Sequence, residues 1–280
     1  MRLDSHQHFW QYAPADYPWM TEELRTLRRD YLPPDLQPQL AAVGIDGTVA
    51  VQAQQTVAEA RWLLQLAEQH PFIMGVVGWV DLRSERVDDA LAELAQHPKF
   101  VGVRHVAQDE PDDRFLVLPE FQRGIARLQA HQLTYDLLIY PRQLRAAIEL
   151  VQRFPEQPFV LDHLAKPALR TGTVSPWREE VRELALSGNV CCKVSGLVTE
   201  ASWQAWRADD FRPYLDVVFD AFGPSRLMFG SDWPVCTLAG TYEQVYRLVD
   251  EYTRGLGPAE REQLFGGTAA RFYGIQVEGT

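Results

Sequence analysis

Eight short runs of apolar, largely β-branched residues punctuate this chain. Most are separated by stretches whose apolar residues recur at helical spacing, and no other feature constrains the fold as strongly. The runs cover residues 2–8, 47–52, 73–80, 100–104, 133–139, 159–163, 189–195 and 226–232 and begin roughly 26 to 45 residues apart. The clearest helical stretch is 56–70, with Ala60, Leu63, Leu64 and Ala67 on one face; 86–96, 120–132, 142–154 and 177–186 read the same way. A chain that returns through a helix re-enters its sheet in the same direction, so alternation predicts parallel strands. Eight units within 280 residues predict one closed (β/α)8 barrel of the TIM type, a single domain over residues 1–280. An open doubly wound sheet is disfavoured, because no glycine fingerprint follows the first run and no GxxxxGK[ST] occurs. Residues 9–38 and 199–213 are irregular, rich in tryptophan and proline, and follow strand ends. On a barrel they belong over the C-terminal mouth.

Composition narrows the function. A formal charge of −11 argues against a protein that tracks nucleic-acid phosphates. With 46% apolar residues the chain can bury a large core, yet no apolar run approaches the length of a membrane span. The first run starts at once, with no basic and apolar leader ahead of it. The three cysteines, two of them adjacent at Cys191 and Cys192, form neither a disulfide framework nor a CxxC metal motif. A reducing cytoplasm is the expected location.

The opening run ends in Asp4-Ser5-His6-Gln7-His8. Alternate residues of a strand share a face, so His6 and His8 project together at the end of the barrel where active sites lie. Two imidazoles so placed can share a metal ion or a substrate oxygen. The sixth run closes on Leu161-Asp162-His163 and the eighth on Phe229-Gly230-Ser231-Asp232. Asp232 reads as a site carboxylate, with a turn cap ahead of Pro234 as its competing role. Alternation sends Asp162 and His163 to opposite faces, which makes Asp162 structural and leaves His163 for the site. Arg104 and His105 after the fourth run, and Lys193 near the end of the seventh, are fixed cations suited to substrate oxygens. For Arg104 the competing role is an ion pair within the scaffold. Gln52 can orient hydroxyl groups or sit as a satisfied buried amide; Trp10, Trp79 and Trp233 offer aromatic planes to a sugar ring, with core packing the favoured role for each taken singly. Cys236 lies close to Asp232 in sequence, but nothing in the sequence orients a base for it.

These motifs resemble the amidohydrolase superfamily, in which an HxH follows strand one, a His strand six and an Asp strand eight. Asp4-Ser5-His6-Gln7-His8-Phe9-Trp10, Leu161-Asp162-His163-Leu164-Ala165-Lys166-Pro167, Cys192-Lys193-Val194-Ser195-Gly196-Leu197 and Phe229-Gly230-Ser231-Asp232-Trp233-Pro234 resemble its amidohydrolase-2 branch. That branch includes sugar lactonases of the fuconolactonase and rhamnonolactonase kinds and a dicarboxylate lactonase. The resemblance covers residues 2–274. It implies Asp232, His163, His6 and His8 as the catalytic set and the same four side chains as ligands of a divalent metal, zinc. Binuclear members carry a bridging Lys or Glu after strand four and a His after strand five. Arg104 and Tyr140 stand there in this chain, so one metal ion is implied, in a branch that also works with loosely held metal or none.

The implied reaction is hydrolysis of a small sugar-acid lactone, an aldono-1,4- or 1,5-lactone such as L-fucono- or L-rhamnono-lactone. Asp232 would take a proton from the attacking water, and the histidines would stabilise the oxyanion. Arg104, Lys193, Gln52 and Trp10 would bind substrate. A mononuclear zinc amidohydrolase or decarboxylase of a small carboxylic acid is the alternative. A barrel that only binds a ligand is disfavoured by the four retained side chains, and a phosphosugar isomerase by the missing glycine-rich loop after the last two strands. The partner expected is a small-molecule substrate, with neither nucleic acid nor membrane; a homo-oligomer is left open.

Overall fold

The computed structural model describes residues 1–276. Its strands are β1 Leu3–Gln7, β2 Gly47–Val51, β3 Ile73–Gly78, β4 Phe100–His105, β5 Thr134–Leu137, β6 Phe159–Leu161, β7 Val190–Val194 and β8 Leu227–Phe229. All pair in parallel in the order of the sequence, β1 to β8. The ring closes where the amide of Asp232 donates to His6 O at 2.8 Å and that of His8 to Trp233 O at 2.7 Å. The expected eight-stranded TIM barrel is therefore the observed fold.

Each strand is followed by a helix packed outside the barrel: α1 Pro33–Val43, α2 Val57–Gln69, α3 Val87–Leu94, α4 Pro119–Leu128, α5 Leu144–Arg153, α6 Trp177–Ala185, α7 Ala208–Phe222 and α8 Tyr242–Tyr252. Local chemistry sets several boundaries. Thr56 caps α2 by accepting from the amide of Glu59 at 3.1 Å, Pro119 opens α4, and Gly44 ends α1 in the left-handed region at φ 71°. Two regions expected to be irregular contain helix. The first six of the eleven residues of α1 lie within 9–38, its prolines 33 and 34 filling the first turn, where no amide hydrogen is needed. Likewise α7 begins inside 199–213.

The barrel interior is layered. Leu3, Val49, Val51, Val77, Val160 and Met228 fill its lower part, and a short closing helix, α9 Thr268–Tyr273, plugs the bottom with Ala269 and Tyr273. Cys191 joins this inner cluster while Cys192 packs outward, as alternation requires. With its base filled by hydrocarbon, the barrel concentrates its polar groups at the upper end.

Candidate active site

The site forms at the seam between β1 and β8. Asp4 holds that seam: Oδ1 accepts from the amides of Ser231 at 2.9 Å and His6 at 3.1 Å, and Oδ2 accepts from the Tyr242 hydroxyl at 3.0 Å. Burial pushes the Asp4 carboxyl up to about 6 against the pull of those hydrogen bonds. Gly230 is required here, because a Cβ would lie 2.7 Å from that of His6. The ladder then ends, and Asp232 sits in the left-handed region at φ 57°. Most strands stop one to three residues short of their predicted ends, so His8, Asp162, His163 and Asp232 lie on irregular backbone just above the sheet.

Four side chains meet there. His6 Nε2 lies 3.2 Å from His8 Nε2. Asp232 Oδ1 is 3.4 Å from His8 Nε2 and 3.8 Å from both His6 Nε2 and His163 Nε2. His8 Nδ1 hydrogen-bonds Val51 O at 2.7 Å, which puts the proton on Nδ1 and turns the Nε2 lone pair toward Asp232. His163 Nδ1 meets Ser195 Oγ at 2.8 Å. Burial depresses all three imidazoles, His163 to about 4, so they are neutral at physiological pH. Burial also opposes the charge on Asp232, but His163, His8 and His6 outweigh it and hold the carboxyl far below its usual range.

Beneath this tier lies a buried charge network. Lys193 Nζ donates to Asp136 Oδ2 at 2.5 Å and lies 3.0 Å from Asp162 Oδ1 and 3.1 Å from His6 Nδ1. Arg104 donates to Asp162 Oδ2 at 3.0 Å and to Gln52 Oε1 at 2.6 and 2.9 Å. The Tyr273 hydroxyl, rising from α9, donates to Asp136 at 2.9 Å. Two cations balance two carboxylates, so the network is neutral as a unit.

His6, His8, His163 and Asp232 come together. Arg104 and Gln52 line the cavity above them and are also tied into the network. Trp10 lines the cavity too, its indole nitrogen donating to Arg29 O at 2.9 Å and so pinning the loop after β1. Lys193 is a correction: fully buried under His6, it does not reach the cavity. Alternation also failed at Asp162. The chain turns left-handed from His163 onward, so Asp162 and His163 both face inward instead of to opposite faces. Trp79 donates to His105, which pairs with Glu110, and Trp233 packs on Phe9 and Tyr31; none of these lines the cavity. Cys236 is buried, and burial pushes its thiol well up, which leaves no thiolate.

Three contributors were missed. Asp136 was an isolated acid inside an apolar run, a pattern that marks a paired buried charge. Ser195 orients His163. Glu59 accepts from the amides of Ala53 at 3.0 Å and Gln54 at 2.9 Å, fixing the loop after β2; the Thr56-x-x-Glu59 pattern was its signal.

The cavity above the site measures about 770 Å³. The loops over it come from the two irregular regions, through Trp19 and Leu24 on one side and Thr199, Glu200 and Trp203 on the other.

The donor set fits one divalent cation. Tetrahedral zinc with Zn–N near 2.05 Å separates its ligand atoms by about 3.3 Å, and His6 Nε2, His8 Nε2 and Asp232 Oδ1 are 3.2 to 3.8 Å apart. Neutral imidazoles around an ionised carboxylate leave the tier net negative. A second grouping, His6, Asp162 and His163, fits less well, because the Lys193 ammonium already sits at both Asp162 Oδ1 and His6 Nδ1, whereas in the first grouping a single donor atom, His6 Nε2, faces a cation, Arg104 Nη1 at 3.2 Å.

An eight-stranded parallel barrel with one histidine on its first strand and a second just past it, one after its sixth and an aspartate after its eighth defines a class, and the Amidohydrolase family profile matches residues 3–275; the chain belongs to that family. Among named relatives it is 46% identical to the L-fucono-1,5-lactonase of Burkholderia multivorans over 98% of this chain and 96% of that one. It is 42% identical to the L-fucono-1,5-lactonase of Burkholderia ambifaria, again over 98% and 96%. A crystal structure of an amidohydrolase from Burkholderia multivorans with bound zinc superposes with a TM-score of 0.95 at 46% identity, covering 99% of this chain and 100% of that one.

Proposed function

We propose that this chain is a hydrolase that opens a sugar-acid lactone, an aldono-1,5-lactone of the L-fucono kind, with Asp232 as general base. The observation that carries the reading is the convergence of His6, His8, His163 and Asp232 on one point under a cavity fit for a sugar ring, in a chain related along its whole length to lactonases.

The residues divide the work. Trp10 and Trp203 give the cavity apolar faces against which a sugar ring can lie. Asp232, held ionised, takes the proton of the attacking water and can pass it to the departing ring oxygen. A divalent cation, if held by His6, His8 and Asp232 with His163 alongside, would acidify the attacking water and polarise the carbonyl. The Arg104 guanidinium, fixed by Gln52 and Asp162, presents positive charge where the carbonyl oxygen becomes anionic. No helix among the described residues is long and apolar enough to cross a membrane. The free cysteines at 191, 192 and 236 support a cytoplasmic location.

The test is acid release across aldono-1,4- and 1,5-lactones, with and without chelator. Asp232→Asn should lower kcat about 10²- to 10⁴-fold. A variant at the wild-type rate overturns the base assignment, and wild-type protein inert on every aldonolactone overturns the function.

A further inference from the structure

One wall of the cavity is built by the turn after β6 and the segment after β7. Four consecutive non-glycine residues, His163, Leu164, Ala165 and Lys166, hold φ between 49° and 58°. L-residues enter this region at a cost and ordinarily one at a time, so a run of four is backbone strain maintained by its surroundings. The run points His163 into the cavity and, three residues later, brings Lys166 to the same cavity. Reverting it to ordinary backbone would lose both.

Lys166 Nζ stands 3.9 Å from Glu200 Oε1, too far for a hydrogen bond, and 5.4 Å from the centre of the Tyr140 ring. The two charged side chains are 17% and 25% exposed. Among the described residues neither head group finds a hydrogen-bond partner. The other charged groups of the inner cavity are committed: Arg104 to Gln52 and Asp162, Asp232 to the histidines. Lys166 and Glu200 are thus a free donor and a free acceptor side by side. As a pair they are neutral, and Glu200 and Asp232 together would repel a second carboxylate on the ligand. An uncharged polyol fits this wall, with one ring hydroxyl accepting from the ammonium and a neighbouring hydroxyl donating to the carboxylate.

We propose that Lys166 and Glu200 read the ring hydroxyls of the substrate and so set which sugar lactone is hydrolysed; this rests on the lactonase reading above. The test compares kcat/KM for L-fucono-1,5-lactone and L-rhamnono-1,5-lactone, which differ only in hydroxyl configuration, in wild type, Lys166→Met, Glu200→Gln and Lys166→Arg. Wild type should prefer one of the two. Lys166→Met and Glu200→Gln should each lower kcat/KM for the preferred lactone by about tenfold or more, mainly through KM, with a smaller loss on the other, and Lys166→Arg should restore part of the preference. A ratio unchanged in both variants, an equal loss on both lactones, or a wild type without preference would each overturn the proposal while leaving the lactonase intact. A wild type inert on all aldonolactones would instead remove the reading beneath it. Thermal unfolding of each variant identifies misfolding, and the two side chains provide independent tests.

Discussion

Replacing Lys193 by Met tests the physical account of the barrel's polar floor. The ammonium is wholly buried between Asp136 and Asp162, at 2.5 and 3.0 Å. Removing one member of a buried ion pair costs about 3–5 kcal/mol, because the partner keeps its desolvation penalty and loses its compensation. Two acids are orphaned here, but each keeps another partner: Asp162 has Arg104 at 3.0 Å and Asp136 the Tyr273 hydroxyl at 2.9 Å. The loss should therefore stay within that range. Burial already pushes Asp136 up to about 6 even with Lys193 pulling it down, so without Lys193 its carboxyl rises further. In the variant Asp136 then holds its proton at pH 7, where the wild type has released it; at pH 5 both hold it. The variant's deficit should thus be about 1.4 kcal/mol smaller at pH 5 than at pH 7, one unit of differential titration. Urea unfolding at the two pH values reads both quantities. A variant within 1 kcal/mol of wild type at pH 7, or a deficit that does not shrink on acidification, would refute the reasoning.

Two further predictions concern the groups that aim the site. Gly196 has φ 63°, and a Cβ there would lie 2.6 Å from the His163 ring, so Gly196→Ala should displace the imidazole and lower kcat by about tenfold to a hundredfold. Its unfolding temperature should fall by only a few degrees; unchanged kcat would show that His163 needs no such buttress. Burial pushes Glu59 up to about 8, against the pull of the Gln54 and Ala53 amides, so the folded state binds its proton across roughly pH 4.5 to 8 while the unfolded chain releases it. Stability should therefore fall as pH rises through that window, by up to about 1.4 kcal/mol per unit from this group alone, and Glu59→Gln should flatten the slope. Urea midpoints from pH 5 to 8 decide it: parallel profiles for wild type and variant would refute the assignment.

The barrel was legible because its information is periodic. Eight apolar runs had to form parallel strands, and no local detail of any one run could change that. The convergence of the four candidate site residues was legible for a related reason: barrel topology brings strand ends together at one rim, and three histidines with one aspartate stood at such ends. What failed was alternation, the rule used to decide which neighbours face inward. It holds only while the ladder holds, and β6 stops at Leu161. Beyond it the left-handed turn rotates the chain, so Asp162 and His163 both enter the barrel. The same limit explains Lys193. It lies on regular strand and faces inward as expected, but depth along the barrel axis, which periodicity does not encode, puts it beneath His6 in the network instead of in the cavity. Direction was written in the sequence; depth was not. Catalytic chemistry here depends on the difference, because the same cation that would bind substrate one layer higher serves one layer lower to neutralise Asp136 and Asp162. That neutral floor leaves the carboxylate of Asp232 as the one uncompensated charge among the four converging side chains.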